Sequence, residues 1–262
     1  MKMTNWFENA HASCLRPLLA AALCLPALAQ ADWPPPSYTA VYDMYMDGKL
    51  RAETRATFTR QDQRWTFENR GQGTKGLARF LGVETEESAA GRWEGDDVLS
   101  GHFSHRSKVA VRKDRWSAEF DWEAGTVRVE RDDLTMEYPL ERGMVDPVGL
   151  TLAMQSLPNR EQKEWELLVV EDEELDPQKF RALDPAKLQT AIGCLGAIEV
   201  ERVRENSKRY SSVWFAPELE HITVRMVHGK RGGNEFELRI RTLSIGGDDV
   251  KFDTVCEGDQ GP

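Results

Sequence analysis

From Tyr38 onward the chain alternates. Tyr38, Ala40, Tyr42, Met44 and Met46 share one side of a strand, and Asp47-Gly48 follows as a hairpin turn. On the return strand Ala52, Thr54, Ala56 and Phe58 stand opposite Arg51, Glu53 and Arg55. Trp116, Ala118, Phe120 and Trp122 face away from Arg115, Ser117, Glu119 and Asp121. The pattern returns in the last third: Ile222, Val224 and Met226 against Thr223 and Arg225, then Phe236, Leu238 and Ile240 against Glu237, Arg239 and Arg241. Successive side chains of a strand point to opposite faces, so such stretches build a sheet with one wet and one apolar face.

That apolar face has to be buried. Each large side chain removed from water contributes about 1.5–3 kcal/mol. Helices that could cover the sheet are few. Leu77 to Leu81 has room for one turn. Asp146-Pro147 is a helix start, with an N-cap residue followed by proline at the first position, and Val148 to Leu157 is apolar around most of its circumference. Asp176-Pro177 and Asp184-Pro185 read as two more short helical turns. The expected fold is therefore mainly β. A curved antiparallel sheet forms a barrel or half-barrel, with one or two short helices packed in it or across it.

The N-terminus reads as an export signal. Residues 18–29 form an apolar run of twelve, too short for a spanning helix of roughly 20 residues, and small-x-small cleavage patterns end at Ala29 and Ala31. Residues 1–31 are assigned to the signal peptide, 32–37 to a proline-rich linker, 38–245 to a single β-rich domain and 246–262 to a flexible C-terminal tail. The implied location is the periplasm, with no membrane span after cleavage. Of 262 residues, 30% are charged and the formal net charge is −10, which becomes −11 without residues 1–31. An acidic balance opposes non-specific nucleic-acid binding, which needs clustered cations to displace counterions. It also disfavours anionic lipid headgroups as an electrostatic target. Cys194 and Cys256 remain after cleavage. In an oxidising compartment they either form a disulfide that staples the tail to the sheet, or stay as a buried Cys194 and a mobile Cys256.

The order of several short motifs resembles a known family. Tyr38-x-x-x-Tyr42 leads to Asp47-Gly48, and Thr74-Lys75-Gly76 precedes a short turn and strands. Asp146-Pro147 opens a helix, and Thr190-Ala191-Ile192-Gly193 begins a strand ending at Glu199-Val200-Glu201-Arg202. Trp214-Phe215-Ala216-Pro217 then precedes Ile222-Thr223-Val224-Arg225. This order is similar to the bacterial domain-of-unknown-function family 3108, over about Tyr38 to Ile245. The resemblance implies an exported envelope protein without an assigned activity, so it transfers no catalytic residue. It also implies a design similar to periplasmic lipoprotein-carrier folds, which wrap a curved sheet around helices.

Catalytic and metal motifs are weak. His102-x-x-His105 has ligand-like spacing, yet residues three apart on a strand point to opposite faces. Gly71-Gln72-Gly73-Thr74-Lys75-Gly76 lacks the spacing of a phosphate loop. Asp96-Asp97, Asp132-Asp133 and Asp248-Asp249 sit where turns are expected. We expect no enzyme activity, cofactor or metal. The aromatic rows Tyr38/Tyr42 and Trp116/Phe120/Trp122 are the candidate ligand-binding residues. The leading expectation is an envelope protein that holds an apolar or lipid-like ligand inside the curved sheet. The alternative is a non-enzymatic interaction or structural protein of the envelope, with a filled core and a protein partner.

Overall fold

The computed structural model describes residues 34–159, 162–205 and 207–257. Residues 1–31, read from the sequence as a signal peptide, and the start of the expected linker lie outside the described residues. In chain order the strands are β1 Tyr38–Met46, β2 Lys49–Gln61, β3 Arg64–Gly73, β4 Glu84–Glu94, β5 Asp97–Val109 and β6 Arg112–Asp121. Then come β7 Thr126–Arg131, β8 Leu134–Pro139, β9 Met144–Val145, β10 Glu164–Val170, β11 Leu175–Ala182 and β12 Ala186–Thr190. The last are β13 Gly193–Val203, β14 Arg209–Ala216, β15 Ile222–Lys230, β16 Glu235–Ile245 and β17 Asp248–Val250. Helices α1 Gly76–Phe80 and α2 Pro147–Ser156 interrupt them.

Strands β1 to β8 form a meander in which each pairs antiparallel with the next. A second run joins β10, β11, β13, β14, β15 and β16. The two runs fuse where β1 pairs along its whole length with β16, from Tyr38↔Ile245 to Met46↔Phe236. Strand β9 lies parallel to β10, so the sheet is mixed. It curves but does not close, and of the two shapes expected the half-barrel is the one found. Side chains bridge the free ends. Arg131, at the end of β7, pairs with Asp172 and Glu173 of the β10–β11 turn. The Tyr138 hydroxyl of β8 donates to the Glu173 carbonyl at 3.3 Å.

The local signals act as the residues dictate. Asp47 and Gly48 both take positive φ, 50° and 70°, which matches the right-handed twist of the strands they join. Asp146 caps α2: its Oδ1 accepts from the backbone N–H of Val148 at 2.8 Å and of Gly149 at 2.9 Å. Gly149 lets the helix lie close to β5, since a Cβ there would sit 2.5 Å from Ser100 Oγ. Apolar on most sides, α2 packs inside the curve, with Val148, Leu152, Ala153 and Met154 buried.

Two expectations fail. Asp176-Pro177 does not start a helical turn: Pro177 lies inside β11 opposite Leu168. Pairing of β11 with β13 begins only at Lys179, so Pro177 sits where the strand has one neighbour and its missing N–H is not required. Asp184-Pro185 likewise lies in the link between β11 and β12. The described part of the tail, residues 246–257, is docked. Strand β17 pairs with β16, and the Phe252 N–H donates to the Ile192 carbonyl at 2.7 Å. A disulfide joins Cys194 and Cys256 across 62 positions of sequence.

In the chain-entropy model a loop of that length stabilises by about 4 kcal/mol. Cys256→Ser is therefore expected to lower the unfolding free energy by about 2–4 kcal/mol, read as a drop in urea midpoint. Reductant should produce the same drop in the parent protein and none in the variant.

Candidate functional site

The interior is filled at one end and hollow at the other. At the filled end Phe58, Trp65 and Trp93 are buried among one another, with Tyr38 stacked on Phe58 at 5.4 Å and Phe58 edge-on to Trp93 at 6.0 Å. Further along the same inner face, Met44, Phe67, Met226, Phe236 and Leu238 are only half-buried. They surround a cavity of about 450 Å³ between α2 and the sheet. Val148 and Leu152 of α2 supply the opposite wall, and Tyr38 and Tyr42 line it from β1. Its volume falls within the roughly 300–1,000 Å³ typical of small-molecule sites.

The phenols of β1 are uncharged parts of this wall. The Tyr42 hydroxyl donates to the Thr223 carbonyl at 2.8 Å. Burial pushes the Tyr38 phenol up to about 12, tempered by the neighbouring Gln155 carboxamide. Tyr42 lies well above the ordinary tyrosine value, through burial first and its proximity to Tyr38 second. Thr223 also lines the cavity, and its buried Oγ1 has no hydrogen-bond partner among the described residues.

One polar ladder crosses the otherwise apolar wall. Asn69, Glu87 and His105 stand opposite one another on β3, β4 and β5. Thr54 Oγ1 donates to Asn69 Oδ1, Asn69 Nδ2 donates to Glu87 Oε2 at 3.0 Å, and His105 Nδ1 bonds Glu87 Oε1 at 3.1 Å. All four residues line the cavity. Burial works to raise the Glu87 carboxyl, but the hydrogen bonds from His105 and Asn69 outweigh it and hold it below its usual value. The Glu87 carboxylate in turn raises His105, against the effect of burial. The Glu87 carboxyl and the His105 ring thus hold each other in fixed orientation within the wall.

Of the aromatic residues singled out in the sequence, the structure brings Tyr38 and Tyr42 to this cavity. It does not bring Trp116, Phe120 or Trp122. Trp116 packs its ring on Phe103 at 4.6 Å. Phe120 is buried in the core, and the Trp122 indole donates to the Ser100 carbonyl at 2.7 Å. Trp116 and Phe120 belong to β6 and Trp122 to the turn after it; Trp116 stands in register with His105 of the cavity wall, but its ring lies on Phe103. Sequence reasoning missed Thr223, Asn69, Glu87 and His105. A signal existed: each of the last three is a polar residue in an inward row, beside Phe67, Ala89 and Phe103 two positions away. His102 points to the other face, where its Nδ1 meets Glu119 at 2.6 Å, so the two histidines have separate carboxylate partners. Among the described residues no three His, Cys, Asp or Glu side chains converge as metal ligands.

A family model described as "Protein of unknown function (DUF3108)" matches residues 40–238, a span that includes every cavity residue except Tyr38. The chain belongs to the DUF3108 family. No curated protein matches the sequence. A solved structure described as a beta-barrel-like protein of domain of unknown function DUF1849, from Brucella abortus, is similar in fold. Its TM-score is 0.54 at 13% identity, covering 80% of this chain and 98% of that one. A "putative lipoprotein" from Parabacteroides distasonis aligns at TM-score 0.34 and 10% identity, over 80% and 95% of the two chains. A "putative exported protein" with YmcC-like fold from Bacteroides fragilis aligns at 0.32 and 10%, over 79% and 95%. The DUF1849 likeness supports the barrel-like fold of this DUF3108 protein and nothing finer. Among the described residues no helix is long and apolar enough to cross a membrane.

The Glu87–His105 pair has a defined pH window. The raised His105 value makes its contribution to stability full at low pH and lost as pH rises through that value. The lowered Glu87 value makes its contribution full above the ordinary carboxylate range and lost as pH falls through its own. In an NMR titration His105 is expected to titrate above the usual histidine value. In Glu87→Gln it should titrate below that value, because burial remains and the carboxylate is gone.

Proposed function

We propose that this DUF3108 protein is a non-catalytic binding protein of the bacterial envelope, exported to the periplasm, that carries an apolar, lipid-like molecule in the cavity between α2 and the sheet. The observation that carries this reading is the half-buried row Met44, Met226, Phe236 and Leu238. In a filled core such residues would be covered by protein. Here they border empty space, and the apolar surface they leave is stabilised when a guest covers it.

The polar groups fit an amphiphile better than a pure hydrocarbon. The unpartnered Thr223 hydroxyl and the His105 imidazole offer hydrogen bonds within an apolar wall, which fixes the orientation of a molecule with one polar end. The acyl part would lie along Met226, Phe236 and Leu238.

Native mass spectrometry of protein purified from its own periplasm is expected to show a co-purified lipid-like adduct. A fluorescent fatty-acid probe should bind the delipidated protein, and Met226→Trp, which fills the cavity, should weaken it at least about tenfold by removing roughly 1.4 kcal/mol of contact. Absence of both adduct and probe binding overturns the reading. Thr223→Val separates fold from site. It removes an unsatisfied buried hydroxyl without changing shape, so the free protein should be as stable or more so. Ligand affinity should nevertheless fall by about fivefold to tenfold, the equivalent of one hydrogen bond.

A further inference from the structure

Four large apolar side chains stand in water at one corner of the molecule. Leu77 is 65% exposed, Phe80 84%, Val109 42% and Val111 97%. They come from two neighbouring segments, helix α1 and the β5–β6 hairpin. The Ala110 N–H donates to the Leu81 carbonyl at 2.7 Å, and Glu84, just after α1, is in register with Lys108 of β5. Apolar residues exposed singly are ordinary, but a cluster marks an interaction surface. The hairpin tip also departs from usual turn chemistry: Ala110 holds φ at 55°, a position where Asn, Asp or Gly is the rule, and so presents Val111 outward.

The corner is basic in an acidic protein. Lys75 and Arg79 flank Leu77 and Phe80, and Arg112 and Lys113 follow Val111. On the strands behind the tip, Arg106 stands opposite Arg115 and Lys108 opposite Lys113. Segments 74–84 and 105–115 thus carry seven Lys or Arg against two acids, in a chain of formal charge −10. Both acids are engaged, Glu84 with Lys108 at 3.5 Å and Asp114 with Arg131 at 3.5 Å. Like charges directly opposite on a sheet destabilise it, and Glu86 and Glu84, which face Arg106 and Lys108 from β4, offset only part of the cluster. An anionic surface brought against them would reverse the sign.

We propose that α1 and the β5–β6 hairpin form a docking tip for the surface of an anionic phospholipid bilayer. Leu77, Phe80 and Val111 enter the headgroup–acyl boundary, while Lys75, Arg79, Arg112 and Lys113 meet the phosphates. The excess of acid elsewhere is repelled by the same surface, so only a tip-first approach is favourable. A second copy of the chain is a poor occupant, because contact through this tip would set the same cations face to face. The tip adjoins the cavity. A groove lined by Lys108 and Lys113 together with Glu84, Glu86 and Asp114 reaches Thr85, which also lines the cavity. The inference concerns a different surface from the cavity and stands without it.

Sedimentation with vesicles tests this. The mature protein is expected to bind vesicles of equimolar phosphatidylcholine and phosphatidylglycerol, to bind phosphatidylcholine alone at least about tenfold more weakly, and to be released by high salt. Phe80→Ser with Val111→Ser should cost at least about tenfold in binding, since each large side chain withdrawn from the bilayer forfeits a transfer contribution of that order. Both side chains are already exposed, so the melting temperature should not move. Arg112→Glu with Lys113→Glu should weaken binding and remove most of its salt dependence. Binding of the fatty-acid probe in vesicle-free buffer should be unchanged in both variants, which keeps failure here distinct from failure of the cavity reading. The proposal is overturned if vesicles are not bound, if neutral vesicles bind equally, or if the variants bind like the parent. It is equally overturned if Phe80→Ser with Val111→Ser abolishes a dimer in sedimentation equilibrium, or disrupts a stable protein complex instead of vesicle binding.

Discussion

The pairing of β1 with β16 is the constraint on which the rest depends. It joins the first long strand of the chain to the last over nine residues, with one register shift between Val41 and Tyr42. On either side of that seam lies a sheet with one apolar face. Each taken alone would leave Tyr38, Tyr42, Ile240 or Leu243 against water, at a cost of about 1.5–3 kcal/mol for each large side chain. Joined and curved, the two faces look at each other across α2. The Tyr42–Thr223 hydrogen bond then spans 181 positions of sequence and ties the middle of the wall to β15. Such long-range closure is entropically expensive and is formed only because so much apolar surface follows it. The disulfide and β17 act on the same region: they fasten the end of the chain beside β13 and β16.

Curvature alone does not make a cavity. A curved sheet with large aromatic residues along all of its inner rows would be solid, as it is around Phe58, Trp65 and Trp93. At the hollow end the aromatic residues Phe67 and Phe236 are interleaved with slender side chains, Met44, Met226 and Leu238, and short ones, Ala56 and Thr54. The helix crosses the interior only from Pro147 to Ser156, held at its start by the Asp146 cap. Gly149 allows close approach to Ser100 and so draws the first turn of α2 toward β5. The Thr54–Asn69–Glu87–His105 ladder is tolerable in this wall because each member satisfies the next. Without Asn69 and His105, burial would push the Glu87 carboxyl toward its neutral form.

The fold was legible because period-two alternation is a property of the strand itself. Inward and outward rows were readable on β1, β2, β6 and β16, and the Asp47-Gly48 and Asp146-Pro147 signals are local; on β15 the register shift opposite Trp214 and Phe215 brings Thr223 to the same cavity as Met226, against the alternation. What was illegible depends on contacts far apart in sequence. Trp116, Phe120 and Trp122 look like a ligand platform on their own strand. Strand order puts Trp116 beside His105, but its ring turns onto Phe103, while Phe120 is buried in the core and Trp122 bonds the Ser100 carbonyl. Pro177 shows the same limit from the other side. The Asp-Pro pair is a helix signal only when no neighbouring strand offers Asp176 and Gln178 partners, and β10 does. The ladder of Asn69, Glu87 and His105 is spread over 36 positions and becomes one object only through the β3–β4–β5 register.

Net charge misleads for a related reason. A formal −10 describes the far field, but a short-range contact is decided within a Debye length of about 8–10 Å. Over that distance the corner of α1 and the β5–β6 hairpin is cationic, whatever the opposite end carries. The sheet creates this segregation. Antiparallel register puts Arg106 beside Arg115 and Lys108 beside Lys113, while the same register gathers the acids of the β10–β11 turn against Arg131. The register that curves the wall around its cavity therefore also sorts the surface charge. Thr85 belongs both to the cavity and to the charged groove, so the β3–β4–β5 register that shapes one also sets the side chains of the other.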